Sequence, residues 1–172
     1  GMRRSELLGL QWDDIDLDGA VASVNRGLVS VGYELHESRG KTTNSRRAID
    51  LDATTVQVLA AWKAWQASER VTVWIESTGW VFADGDGNPI HPHSISQTVE
   101  RIVERAGVPK VRLHDVRHTH GTLLIKAGVP VKVVSERLGR GNPAFTIDTY
   151  QHVLPGMQAE AARIFESLIA ES

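Results

Sequence analysis

The chain has 172 residues, 41% of them hydrophobic and 23% charged, which suits one domain large enough to bury a core and excludes a disordered or fibrous chain. It has no cysteine, so disulfide frameworks, thiolate nucleophiles and zinc–thiolate sites are ruled out, and a reducing cytoplasm is compatible. The net charge of -2 hides a segregation: bases dominate from Arg101 to Arg140, whereas acid gathers in DDIDLD (13–18) and towards the end, a pattern shared by one-sided polyanion binders and solvated helix faces. No apolar run approaches the roughly 20 residues that span a bilayer, and the start carries no signal-peptide pattern, so a soluble protein is expected.

In chain order, SELLGLQ predicts a short helix with Ser5 as its cap, ending before the acidic turn. Three β-like runs follow, AVASVNRGLV, GYELHES and RRAIDL, separated by SVG and by RGKTTNS. Their Val-rich alternation and the Gly, Asn and Ser between them predict a three-stranded antiparallel meander. ATTVQVLAAWKAWQASER predicts a helix on which Trp62 and Trp65 stand with Leu59 for packing, and WVFAD before GDGNP a short strand and turn. Helices are expected from near Ser94, His114, Val131, Pro143 and Gly156. The last has an apolar face at Ala162, Phe165, Leu168 and Ile169, suited to packing on its own domain. No linker or repeat divides the chain. The expected architecture is therefore one α+β domain over 1–172, mainly helical with a small three-stranded antiparallel sheet.

The densest chemistry lies in LHDVRHTHGTLL (113–124). His114 begins a helix whose apolar face is expected at Val116, Leu123, Leu124 and Ile125, and Arg117 follows one turn on, so both can reach one ligand. A helix start favours an anion through its free N–H groups and dipole. His114 and His118 have the i, i+4 spacing of paired zinc ligands, but no glutamate follows the first histidine and Arg117 would set a cation beside the metal, so no metal is expected. The plainer reading is that the histidines cap and hydrogen-bond the helix. His118 and His120 are read as supporting or structural residues, and His91 and His93 as a helix start.

GMRRSELLGLQWDDIDLD, GKTTNSRRAIDL, LHDVRHTHGTLL and VSERLGRGNPAFTIDTYQHV, in this order, resemble the successive signatures of the tyrosine recombinases, the phage integrase family. The resemblance implies that Arg3 is the first catalytic arginine, that Lys41 is the lysine of a turn between two strands, that His114 and Arg117 form the HxxR pair, and that Tyr150 is the nucleophile. It places Arg140 where the family usually has a second histidine, LGR standing for LGH. Arg3 and Arg117 would clamp a phosphodiester, Tyr150 would attack phosphorus, His114 would accept a proton or hold the phosphate, and Lys41 would protonate the departing 5′-oxygen, with no metal, ATP or other cofactor. Arg4, Arg46 and Arg47 are expected as solvated or backbone-phosphate contacts, and Glu6 as a salt-bridge partner of the arginines. The implied partners are double-stranded DNA attachment sites and further copies of the chain, a tetramer on DNA, with no membrane. The implied setting is bacterial or phage-encoded, cytoplasmic and nucleoid-associated. Family members carry a core-binding domain and further catalytic-domain helices ahead of the first arginine, so a fragment is expected. Two other readings are a type IB topoisomerase-like strand passer and a catalytically impaired DNA-binding remnant.

Overall fold

Glu6 shapes the first element. It occupies the third position of α1 (Arg4–Leu8), and its carboxylate accepts the backbone N–H of Arg3 at 2.8 Å, so the cap is Arg3, with Ser5 inside the helix rather than ahead of it. The computed structural model describes residues 1–38, 46–73, 79–150 and 156–170. Asp14 repeats the device in a 3-10 turn over Trp12–Asp14, accepting the N–H of Gln11 at 2.9 Å. Asp14 is buried, and it also draws in Arg26 at 2.6 Å and Asn25 at 2.8 Å.

Those two bonds reorganise the sheet. The run AVASVNRGLV breaks at Asn25 and Arg26 into β2 (Val21–Val24) and β3 (Gly27–Val31). β2 pairs antiparallel with β1 (Ile15–Asp16) and with β5 (Arg47–Asp50), aligning Ile15, Ala22 and Ile49 across the sheet. Among the described residues β3 pairs with β4 (Glu34–Ser38) alone, as a separate hairpin whose turn places Gly32 and Tyr33 at φ 58° and 70°. A three-stranded antiparallel sheet is thus present. Its third strand comes from the acidic stretch, and the expected meander of three consecutive runs is replaced by a sheet plus a hairpin. WVFAD makes isolated bridges, Trp80 with Gln11 and Ala83 with Pro89, in place of the expected strand.

Helix α2 (Ala53–Val73) starts where Asp52 accepts the N–H of Thr55 at 3.0 Å. Its Trp62 stacks on Trp65 with centroids 4.7 Å apart and donates its indole N–H to the Val81 carbonyl at 2.6 Å, while Gln66 takes the indole N–H of Trp12 at 2.9 Å. The first hydrophobic cluster results: Leu10, Trp12, Ile15, Ala22 and Val81, with Leu59 and Trp62 packed against it.

The helical half comprises α3 (Pro92–Ala106), α4 (Leu113–Lys126), α5 (Val131–Arg137), α6 (Pro143–Tyr150) and α7 (Met157–Ala170). Pro92 at the first turn and Gly107 in a left-handed conformation (φ 63°) delimit α3. A second cluster, Ile125, Val134 and Leu138, joins α4 to α5. The inward line of α4 is Arg117, Gly121 and Ile125, spaced by fours. Val116 and Leu123, expected on the apolar face, fall off that line and are exposed. On α7, Ile164, Phe165, Leu168 and Ile169 are all exposed. Among the described residues no helix is long and apolar enough to cross a membrane.

Candidate active site

Three arginines from three separate segments converge on the Glu6 carboxylate. Arg3, just before α1, donates Nη1 to Glu6 Oε1 at 2.6 Å and Nη2 to the Gly139 carbonyl at 3.0 Å. Arg47, first residue of β5, sends Nη1 and Nη2 to the two Glu6 oxygens at 3.1 and 2.8 Å, and Nε to the Arg137 carbonyl at 2.8 Å. Arg117, from the buried line of α4, donates Nη1 to the Gly1 carbonyl at 2.6 Å and Nη2 to the Leu138 carbonyl, with Nη1 3.8 Å from Glu6. The carbonyls of Arg137, Leu138 and Gly139, at the end of α5, each receive one of these guanidinium groups. Arg137 and Leu138 are the last residue and the cap of α5, whose carbonyls a helix end leaves without partners, and Gly139 follows them, so the arginines complete the helix while the helix end fixes the arginines.

Burial alone would push the Glu6 carboxyl up, but the hydrogen bonds from Arg47 and Arg3 outweigh it and bring it down to about 2. Arg117 is brought down to about 10, first by burial and then by the Arg3 cation, and stays charged at neutral pH. One carboxylate therefore faces three guanidinium groups, and the cluster carries a surplus of positive charge. Access to it is uneven: the Arg3 side chain is 41% exposed, that of Arg47 8% and that of Arg117 4%. An incoming anion meets Arg3 first.

Gly139 is fixed by this packing. Its φ is +61°, and a Cβ there would lie 2.5 Å from Nη1 of the buried Arg47. Gly139→Ala is expected to lower stability by about 1–3 kcal/mol, the range for a strained left-handed residue, with the chemical denaturation midpoint as the measure. An unchanged midpoint would mean that Arg47 yields freely and holds nothing.

Arg140 follows directly. Its N–H bonds to the Ser135 carbonyl at 2.9 Å and its own carbonyl accepts from Ser135 Oγ at 3.0 Å, which pins the connection from α5 to α6. Its Nη1 donates to Thr149 Oγ1 at 3.0 Å, one residue before Tyr150, which ends α6. The Tyr150 side chain and all of Lys41 lie outside the described residues. His114 stands exposed in the first turn of α4, its Nε2 2.9 Å from Nε2 of His118 with the rings edge-on at 81°. That helix is capped by Arg112, whose backbone N–H reaches Asp115 at 2.9 Å.

Two clefts border the cluster. One, of about 710 Å³, is lined by Arg3, Arg4, Ser96, Arg112 and His114, among others, and Arg4 holds Ser96 Oγ there at 2.9 Å. The other, of about 670 Å³, is lined by Arg46, Arg47, Lys132, Arg137 and Arg140, among others. Arg4 and Arg46 are exposed, as a surface role requires. Arg47 is not: the solvated reading of it is corrected by its burial and by its bonds to Glu6 and Arg137. The alternation in RAID was the available signal, since Arg47 shares a strand face with the buried Ile49. His120 accepts from Arg137 Nε at 3.2 Å, and burial lowers its proton affinity. The structure thus gathers Arg3, Arg117, Arg140 and His114 around one region, and it adds Arg47 and Arg112.

Comparison with known proteins gives a consistent result. The model of the phage integrase family matches residues 1–156. The chain is 34% identical to a tyrosine recombinase XerC-like protein of Caldanaerobacter subterraneus subsp. tengcongensis, over 98% of this chain and 46% of that protein. It is 29% identical to the ICEBs1 integrase of Bacillus subtilis, over 98% of this chain and 46% of that one. Among solved structures, the Tn1549 transposon integrase in complex with transposon right end DNA is similar in fold, with a TM-score of 0.77 at 22% identity, covering 95% of this chain and 54% of that chain. The chain spans about half the length of the curated relatives it matches.

Proposed function

The chain belongs to the phage integrase family, and from that membership together with the arginine cluster we propose that it is the catalytic domain of a site-specific DNA recombinase that cuts and rejoins DNA through a 3′-phosphotyrosyl link. The single observation that carries this reading is the surplus positive charge around Glu6, exposed at Arg3 and extended by Arg140 towards the helix that ends in Tyr150. Attack on a phosphodiester spreads charge onto its non-bridging oxygens, and preorganised guanidinium donors stabilise that charge with no reorganisation at the moment of reaction. Arg3 and Arg117 form the clamp, the latter held rigid by carbonyl acceptors. Arg140 supplies a further donor where a histidine is usual. Being permanently charged, it tightens phosphate binding in the ground state as well, which leaves the chemical step less accelerated than selective binding would.

The Tyr150 hydroxyl attacks phosphorus, its proton passes to His114, and the bond from phosphorus to the 5′-oxygen breaks as Lys41 protonates that oxygen. The phenol, with an ordinary pKa of about 10, needs this help at neutral pH. Rejoining is the reverse, with a 5′-hydroxyl attacking the phosphotyrosyl bond, so neither ATP nor a metal is consumed. Arg4, Arg46 and Arg112, exposed on the two clefts, hold the DNA backbone on both sides of the cut. DNA attachment sites and further copies of the chain are the partners of this reading, in line with the integrases and the DNA-bound structure that the chain resembles.

The test is a nicked suicide substrate incubated with the full-length parent. A covalent adduct mapped to Tyr150, with the same yield in excess chelator, is expected. DNA binding without any adduct would leave a DNA-binding remnant, and relaxation of any supercoiled plasmid without a required site would make it a topoisomerase-like enzyme.

A further inference from the structure

The contact between His114 and His118 belongs to neither the arginine clamp nor the hydrophobic clusters. We infer that His118 positions His114 by accepting its Nε2–H, which leaves Nδ1 of His114 as the nitrogen that takes the proton of the tyrosine. This inference rests on the recombinase reading in taking His114 as the reacting base.

The geometry requires a donor and an acceptor. The two Nε2 atoms lie 2.9 Å apart with the rings nearly perpendicular, and a neutral imidazole has one N–H and one lone pair. Each ring therefore plays one role, and the roles can be told apart. Once His114 has accepted a proton, both of its nitrogens carry hydrogen, and the contact survives only with His118 as acceptor. The same direction in the resting state places the His114 hydrogen on Nε2 and its lone pair on Nδ1, so no hydrogen has to relocate during the reaction.

The surroundings of His118 favour that role. The charges that act on it come from His114, Asp115 and Arg117 of its own helix and from Arg140 in the connection between α5 and α6. Burial and then the neighbouring His114 and Arg140 lower its proton affinity, against a smaller opposing effect of Asp115. His118 is thus kept neutral, with a lone pair to offer. The i, i+4 spacing on one helix brings the two rings together. An orienting partner behind a catalytic histidine is commonly a carboxylate. Here a carboxylate would attract the same arginines that have to hold the phosphate. A neutral imidazole carries no negative charge to attract them.

The experiment compares His118→Phe, which keeps an aromatic ring but has no acceptor, with His118→Gln, which keeps an acceptor that does not titrate, both in the full-length parent. Single-turnover cleavage by the Phe variant is expected to slow by about 10- to 100-fold with DNA affinity little changed, and Gln is expected to restore most of the rate. Nitrogen NMR of histidine-labelled protein is expected to show neutral His114 protonated on Nε2 in the parent and a mixture of tautomers in the Phe variant. A parent that forms adduct but carries the His114 hydrogen on Nδ1, or a Gln variant as slow as Phe, overturns the positioning role. A parent that never forms adduct sinks the recombinase reading, and the role falls with it.

Discussion

Replacing Glu6 by glutamine is expected to destabilise the chain by about 3–5 kcal/mol, the range for breaking a buried ion pair by removing one partner. Glutamine has the right shape and the wrong charge. Its amide would turn N–H groups towards guanidinium donors, and the cations of Arg3, Arg47 and Arg117 would lose the carboxylate they now share. The acid dependence follows with a definite sign. The Glu6 carboxyl ionises at about 2 in the folded chain against an ordinary 4.5, so its contribution is fully present above pH 4.5 and is lost as the pH falls through about 2. The amount at stake is roughly 3 kcal/mol by linkage. Urea denaturation of the parent between pH 7 and pH 2.5 should show the decline, and the glutamine variant should start lower and lose less over the same interval. A variant within about 1 kcal/mol of the parent at pH 7 would show that the arginines hold the fold by their carbonyl bonds alone.

Tyr150→Phe in the full-length parent is expected to lower adduct formation by more than about 10⁴-fold, the scale for deleting a nucleophile, while DNA affinity stays within about twofold because the phosphate-holding cations are untouched. Phenylalanine keeps the ring and removes the one atom that can bond to phosphorus. Denaturing gels with labelled suicide substrate measure the first quantity and salt-controlled binding assays the second. Adduct that persists would transfer the nucleophile elsewhere in the chain, and binding lost along with cleavage would mean that the hydroxyl is part of the DNA contact.

Helix positions were readable because their limits are local. Pro92, Gly107, Pro130 and Pro143 mark boundaries by backbone chemistry alone, and the helical half appears where the apolar spacing puts it. The sheet was less legible, since the break at Asn25 and Arg26 depends on Asp14, a partner from a different local segment. The candidate site divides in the same way. His114 and Arg117 are neighbours on one helix, so their shared direction is a matter of spacing. The burial of Arg47 instead needs β5, α1 and the end of α5 to meet, and an arginine in isolation reads as a solvated residue. Similarly, apolar character alone puts Val116 and Leu123 on the apolar face of α4, whereas its inward line is set by Arg117, because the ionic cluster and not a hydrophobic one occupies that end of the helix.

The cluster also bears on how such a chain can change over generations. Arg3, Arg47, Arg117 and Glu6 are tied together by bonds that hold the fold, and in the proposed function Arg3 and Arg117 also hold the phosphate, so a descendant released from that task would still be held to them by the need to fold. Drift in such a lineage would then reach these four residues late. A full set of these arginines in a divergent copy therefore testifies to an intact fold and is not by itself a sign of retained cutting.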